Sequence, residues 1–171
     1  MHLTNFEFKA AVKDLAALEK KLLTLDPVFI GEDNQTDTYF NVTKGRLKLR
    51  EGNIENSLIY YEREDVAQAK ESDILLYKFQ PEPPLKEILV KVHGIKVIVK
   101  KKRKIYFIKN VKFHFDAVEN LGTFVEVEAI DDSGYMKVED LKKQCEKYSD
   151  LLGINISDYV SLSYSDLILK H

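Results

Sequence analysis

The sequence predicts a single α+β domain, residues 1–171, in which an antiparallel sheet is covered by amphipathic helices. Three observations lead there. Segments that alternate polar and apolar side chains recur along the chain, the period of strands with two chemically different faces. Other segments carry apolar residues every three or four positions, the spacing of a half-buried helix. No flexible linker, low-complexity tract or fixed-period repeat divides the chain.

The elements follow in order. His2 to Lys9 alternates, placing Phe6 and Phe8 on one face and Asn5, Glu7 and Lys9 on the other. From Val12 the period changes: Leu15, Leu18, Leu22 and Leu25 describe a helix that Asp26-Pro27 ends. A polar loop comes next. Thr38–Val42 and Gly45–Arg50 read as strands joined at Thr43-Lys44-Gly45, the second with Arg46, Lys48 and Arg50 on one face. Ser57–Arg63 and Ile74–Phe79 supply two further strands rich in Leu, Ile, Tyr and Phe. Pro81, Pro83 and Pro84 break the chain before a helix from Leu85 to about Val92, closed by Gly94. Four strands near Lys96–Lys101, Arg103–Ile108, Val111–Asp116 and Thr123–Ala129 form a meander. Leu141, Cys145, Tyr148 and Leu152 mark a helix ending at Gly153, and a last helical stretch begins at Ser157, a good N-cap.

With 44% hydrophobic residues in 171, the chain has the material for one real core. Its 26 Lys+Arg and 28 Asp+Glu nearly cancel, so no global field draws it to nucleic acid or anionic lipid. Electrostatic recognition must be local. The single cysteine, Cys145, excludes an internal disulfide, and the N-terminus does not resemble a signal peptide, which points to a reducing, cytoplasmic setting. No apolar run approaches the roughly 18–20 residues of a membrane span, so no membrane association is expected.

Asn5/Glu7/Lys9, Arg46/Lys48/Arg50, Lys112/His114/Asp116 and Glu126/Glu128 each alternate with apolar residues. An open sheet with its charged face in water accounts for this pattern. So does a sheet that curls, apolar side outward under the helices, until the charged faces line a tunnel. In the second case Arg46, Lys48, Arg50 and Arg103 offer forked or fixed positive charge for phosphate oxygens. Glu7, Asp116, Glu126 and Glu128 are hard oxygen donors suited to Mg²⁺ or Mn²⁺. Together they suit a polyphosphate held with a divalent cation. No glycine-rich phosphate loop, Gly-x-Ser-x-Gly elbow or zinc spacing competes. The run Lys100–Lys104 splits between two strand faces, which argues against nucleic acid as partner. His114 is read as a structural histidine rather than a proton shuttle, and Tyr60, Tyr61, Tyr106 and Tyr164 as packing.

Several separated segments share an order with one known family. They are Asn5-Phe6-Glu7-Phe8-Lys9, Gln35-Thr36-Asp37-Thr38-Tyr39-Phe40, Gly45–Arg50, Leu58–Arg63, Lys101-Lys102-Arg103, Val111–Val118, Leu121–Glu128 and Ser163–Leu167. The chain resembles the CYTH group, or triphosphate tunnel metalloenzymes, which includes class IV adenylate cyclases and thiamine or inorganic triphosphatases. The hallmark of that group is Glu-x-Glu-x-Lys on the first strand; Glu7 and Lys9 keep its last two positions and Asn5 replaces the first.

The resemblance implies an antiparallel, eight-stranded, closed or nearly closed β-barrel with helices packed outside. It implies Glu7, Glu126 and Glu128, with Asp116 in addition, as ligands of Mg²⁺ or Mn²⁺. Lys9, Lys48, Arg50 and Arg103 become phosphate contacts, with Arg63 and Lys101 in looser alignment, and Glu7 and Lys9 the catalytic positions. Tyr60-Tyr61 stands where other members place a lysine, and Arg46 falls to the turn-side surface. The implied function is a metal-dependent enzyme on a nucleoside or inorganic triphosphate. It is most like a class IV adenylate cyclase making cyclic AMP and pyrophosphate; a triphosphatase and a non-catalytic binder are the alternatives. Either a monomer or a homodimer is compatible. Asn5 brings an amide oxygen without charge, so weaker or altered metal binding is expected.

Overall fold

The computed structural model describes residues 2–62 and 70–171. Eight antiparallel strands close into a barrel: β1 (His2–Ala11), β2 (Val28–Phe40), β3 (Arg46–Glu51), β4 (Ser57–Glu62), β5 (Lys70–Lys78), β6 (Ile95–Ile108), β7 (Val111–Val118) and β8 (Gly122–Asp131). The order around the barrel is β1-β5-β4-β3-β2-β6-β7-β8, and β1 closes it by pairing with both β5 and β8. Four helices lie outside: α1 (Leu15–Leu23), α2 (Leu85–His93), α3 (Val138–Leu152) and α4 (Tyr164–Lys170). Of the two sheet arrangements that the sequence left open, the curled one forms.

Closure follows from where the apolar residues go. Phe6, Phe8 and Ala10 of β1, Phe113 and Phe115 of β7, and Val125, Val127 and Ala129 of β8 point out of the barrel and pack beneath α1 and α3. Helix α3 meets them with Leu141, Cys145, Tyr148 and Leu152, one face of a 3.6-residue period, and stops at Gly153, whose left-handed φ of 68° a side chain rarely adopts. The Asp14 carboxylate caps α1 by accepting from Ala17 N at 2.9 Å. Asp14→Ala is expected to lower stability by about 1 kcal/mol, readable as a reduced urea midpoint at unchanged slope.

A smaller cluster of Tyr39, Val99, Val118, Phe124 and Tyr164 packs with Leu167 and Ile168 of α4. The segment before α4 is fastened across β1: Tyr159 bridges Ala10, Val160 N donates to Lys9 O at 2.8 Å, and the Tyr159 ring stacks on Phe8. No helix among the described residues is long and apolar enough to cross a membrane.

Four local expectations need correction. The expected polar loop is most of β2, whose stretch Glu32-Asp33-Asn34-Gln35-Thr36-Asp37 has no apolar residue to reveal a period yet is paired by β6 throughout and by β3 from Thr36 on. The expected strands 96–101 and 103–108 are one strand, β6, in unbroken register with β2 from Gly31 to Tyr39. The last helix starts after Ser163, whose Oγ accepts from Asp166 N, while Ser157 sits in a short 3-10 turn. Arg46 is not turn-side surface: its guanidinium is half-buried against Asp166 at 2.9 Å. The run Lys100–Lys104 divides as alternation requires, with Lys101 and Arg103 buried and Lys100 and Lys102 exposed.

Candidate functional site

The barrel encloses a cavity of about 840 Å³. Its lining is supplied by the inward residue of each strand pair, so its chemistry differs from wall to wall.

On the β2–β3–β6 wall, three cations converge on one carboxylate. Arg50 grips Asp37 with Nε to Oδ1 and Nη2 to Oδ2, both 2.8 Å, while Lys101 Nζ and Lys48 Nζ reach Oδ2 at 2.9 and 3.2 Å. The register fixes this, because Asp37 lies directly across from Arg50. Burial alone would raise the Asp37 pKa, but Arg50, Lys101 and Lys48 outweigh it and hold the carboxyl well below its ordinary value. Burial has the opposite effect on Lys101: with Arg50 and Arg103 beside it, and despite Asp37, its ammonium is pushed down to about 7.

A second pair stands on β6 and β7. Arg103 donates to Asp116 at 2.7 and 2.6 Å and to Glu126 at 3.0 Å, and Tyr164 Oη donates to the same Asp116 at 2.7 Å. Glu126 also meets His114 Nδ1 at 3.2 Å. Burial, with the Arg103 charge, brings His114 down to about 4, so its ring stays neutral at pH 7. This fits a hydrogen-bonded structural histidine rather than a shuttle near neutrality.

The β1–β8 wall carries the carboxylates. Glu7 faces Glu128 in register, and Lys9 faces Glu126. Asn5 Nδ2 donates to Glu128 Oε1, while Asn5 Oδ1 is buried without a hydrogen-bond partner. Burial and then the like charge of Glu7 raise the Glu128 pKa. Two facing glutamates and an unpartnered amide oxygen are hard oxygen donors, which fits one Mg²⁺- or Mn²⁺-type cation. Among the described residues no three Asp, Glu, His or Cys gather as a metal cluster. The reason is visible: Asn5 takes the place of a third carboxylate, and Asp116 and Glu126 are engaged by Arg103.

The loop from β3 to β4 adds Glu55, which meets Arg50 at 3.3 Å, Gln35 at 3.1 Å and Lys112. The Asp33 carboxylate shapes this loop by accepting from Ile54 N and Glu55 N, both at 2.9 Å. Residue 52 must be glycine there, since a Cβ would lie 2.5 Å from Asp33 Oδ1. At the C-terminal end Lys9 Nζ donates to Leu162 O and lies 4.4 Å from the Tyr164 ring centre.

Of the expected site residues, Glu7, Lys9, Lys48, Arg50, Lys101, Arg103, Glu126 and Glu128 line the one cavity. Asp116 is not in that lining: it is wholly buried as the counter-ion of Arg103. Arg63 lies outside the described residues. Asp37 and Glu55 were missed as site residues. No local period signalled the first, since residues 32–37 are all polar, and nothing in a five-residue loop signalled the second.

The CYTH domain family model matches residues 3–162. No curated protein matches the chain. Among solved structures, a protein of Pyrococcus horikoshii OT3 is 26% identical, over 95% of this chain and 98% of its own, with a TM-score of 0.84. One from Pyrococcus furiosus is also 26% identical, over 95% and 99%, with a TM-score of 0.82. A Hippeastrum protein described as having a dominant triphosphatase activity is 14% identical over 99% and 94%, with a TM-score of 0.62, a likeness of fold.

Proposed function

The chain belongs to the CYTH domain family, and on that premise we propose that it is a divalent-metal-dependent enzyme acting on a triphosphate. The observation that carries the reading is the opposition of two walls in one lumen: Lys48, Arg50 and Lys101 converge on one side, and Glu7, Glu128 and the Asn5 amide oxygen on the other. Lysine ammoniums and an arginine fork are the groups that hold phosphate oxygens by charge-assisted hydrogen bonds. Asp37 keeps them gathered and oriented before a ligand arrives, so little reorganisation accompanies binding. The fixed charge of Arg50 stabilises the oxygens of a phosphoryl group in transfer. When bound at Asn5, Glu7 and Glu128, a divalent cation would neutralise phosphate charge and polarise the phosphorus.

Hydrolysis of the terminal phosphate is one reading; attack of water on that phosphorus and attack of a ribose hydroxyl on the first are both served by the same charged lining. The Hippeastrum protein of the same fold supplies a fold-level analogy. Cyclisation of ATP is the second reading, favoured by the resemblance of the strand segments to class IV adenylate cyclases. The test is to incubate the protein with ATP, thiamine triphosphate and tripolyphosphate, with Mg²⁺ or Mn²⁺, and resolve the products. Metal-dependent release of phosphate supports hydrolysis, and cyclic AMP with pyrophosphate supports cyclisation. Tight binding with no product from any of them would leave a binding protein and refute both.

Lys101 supplies a further expected result. With its pKa pushed down to about 7 by burial, its side chain is mostly neutral at pH 8, whereas a bound polyanion favours the ammonium. Binding of tripolyphosphate at pH 8 should therefore take up a proton, seen by calorimetry in buffers of different ionisation enthalpy, and the uptake should vanish in Lys101→Met.

A further inference from the structure

The inward side of β4 and β5 is chemically unlike the rest of the lumen. Alternation points Ile59 and Tyr61 of β4 and Ile74 and Leu76 of β5 into the cavity. They are neighbours in register, Ile59 across from Leu76 and Tyr61 across from Ile74, so they form one continuous patch. The patch abuts the cationic wall directly: Lys48 lies across from Ile59, and Arg46 across from Tyr61. The Tyr61 ring has the Lys48 ammonium 5.7 Å and the Arg46 guanidinium 5.9 Å from its centre. Ile74 and Leu76 are half-buried, in contact with the cavity rather than packed under a helix.

We propose that this β4–β5 wall is a subsite for the organic end of an organic triphosphate, so that the protein prefers a ring-bearing triphosphate to bare tripolyphosphate. The proposal rests on the reading that the cations of β2, β3 and β6 hold a phosphate chain. A phosphate chain gains nothing from four apolar side chains, and a lumen serving only inorganic polyphosphate has no use for them beside Lys48. A ring laid on Ile74 and Leu76, which keep exposed surface beside the buried Ile59 and Tyr61, buries apolar surface on both partners, with the phosphates extending toward Lys48 and Arg50. The cavity of about 840 Å³ falls in the range of pockets for organic ligands, about 300–1,000 Å³. Ring stacking and apolar burial are tolerant of ring identity, so the wall selects for a ring without choosing among bases.

The test compares ATP, UTP and thiamine triphosphate with methyl triphosphate and tripolyphosphate, all with Mg²⁺, by titration calorimetry on the intact protein. Methyl triphosphate keeps the esterified triphosphate and lacks the ring. ATP and UTP are both expected to bind about tenfold or more tightly than methyl triphosphate, and Ile74→Ser/Leu76→Ser should shrink that ratio toward one. Equal affinity of the wild-type protein for all of the ligands would overturn the subsite while leaving the triphosphate site intact, and needs no variant to fold. A ratio unchanged in a folded double variant would also overturn it. Binding of none of the five would overturn the triphosphate reading itself, a distinct outcome.

Discussion

Asp37→Asn is expected to lower the unfolding free energy by about 3–5 kcal/mol, the scale for removing one partner of a buried ion pair. Asp37 is the shared counter-ion of Arg50, Lys48 and Lys101, and its loss leaves these buried basic groups facing one another without it. A polyanion should repair the damage. At about 100 times its Kd, tripolyphosphate adds about 2.7 kcal/mol to any protein it binds only when folded, and the variant should gain more than the wild type because the ligand replaces the missing charge. Urea unfolding with and without tripolyphosphate measures both effects. The pH dependence has a definite sign. Since the folded-state pKa of Asp37 lies well below its ordinary value, its contribution is present above the ordinary carboxylate range and is lost as pH falls toward the folded value. The variant should therefore lose less stability than the wild type on acidification. Wild-type stability in the variant would show that Asp37 does not organise the cations.

Glu7→Gln should separate activity from stability. Turnover of the triphosphate is expected to fall by about 10²–10³-fold, the scale for losing one preorganised electrostatic group at the reacting centre. Stability should hold or rise, because Glu7 faces Glu128 in register, and burial together with the like charge of Glu7 raises the Glu128 pKa. The effect is read from kcat and the urea midpoint on the same preparation. A stable variant with undiminished turnover would remove Glu7 from the site. An unstable one would mean that the pair holds the barrel together instead of serving a ligand.

The barrel was legible in the sequence where one strand face is apolar and the other charged. Phe6 and Phe8 against Asn5, Glu7 and Lys9 fixed both faces of β1, and Val125 and Val127 against Glu126 and Glu128 did so for β8. It was illegible in β2, where Glu32 to Asp37 is polar on both faces: Asp33 and Gln35 are buried against the β3–β4 loop, and Asp37 against Arg50, Lys48 and Lys101 of the flanking strands, causes that no local period records. The cations were found for the same reason as the strands. Their partners were not, because Asp37 meets Lys101 and Arg103 meets Asp116 only once the strands are set in register. For Asp116 the alternation of β7 gave its place on the polar face but not its pairing with Arg103, which depends on the register of β6 against β7. Tyr61 moved the other way, from packing residue to part of the cavity wall, since inward packing in a barrel is the lining of its lumen.

The most direct test of the central claim is a crystal soaked with a non-hydrolysable ATP analogue and Mn²⁺, examined by anomalous scattering. The result expected is a manganese peak beside Asn5, Glu7 and Glu128, with phosphate density against Lys48, Arg50 and Lys101. Saturating ligand bound elsewhere on the protein, with no peak and no density inside the barrel, would contradict the assignment of the lumen as a triphosphate site.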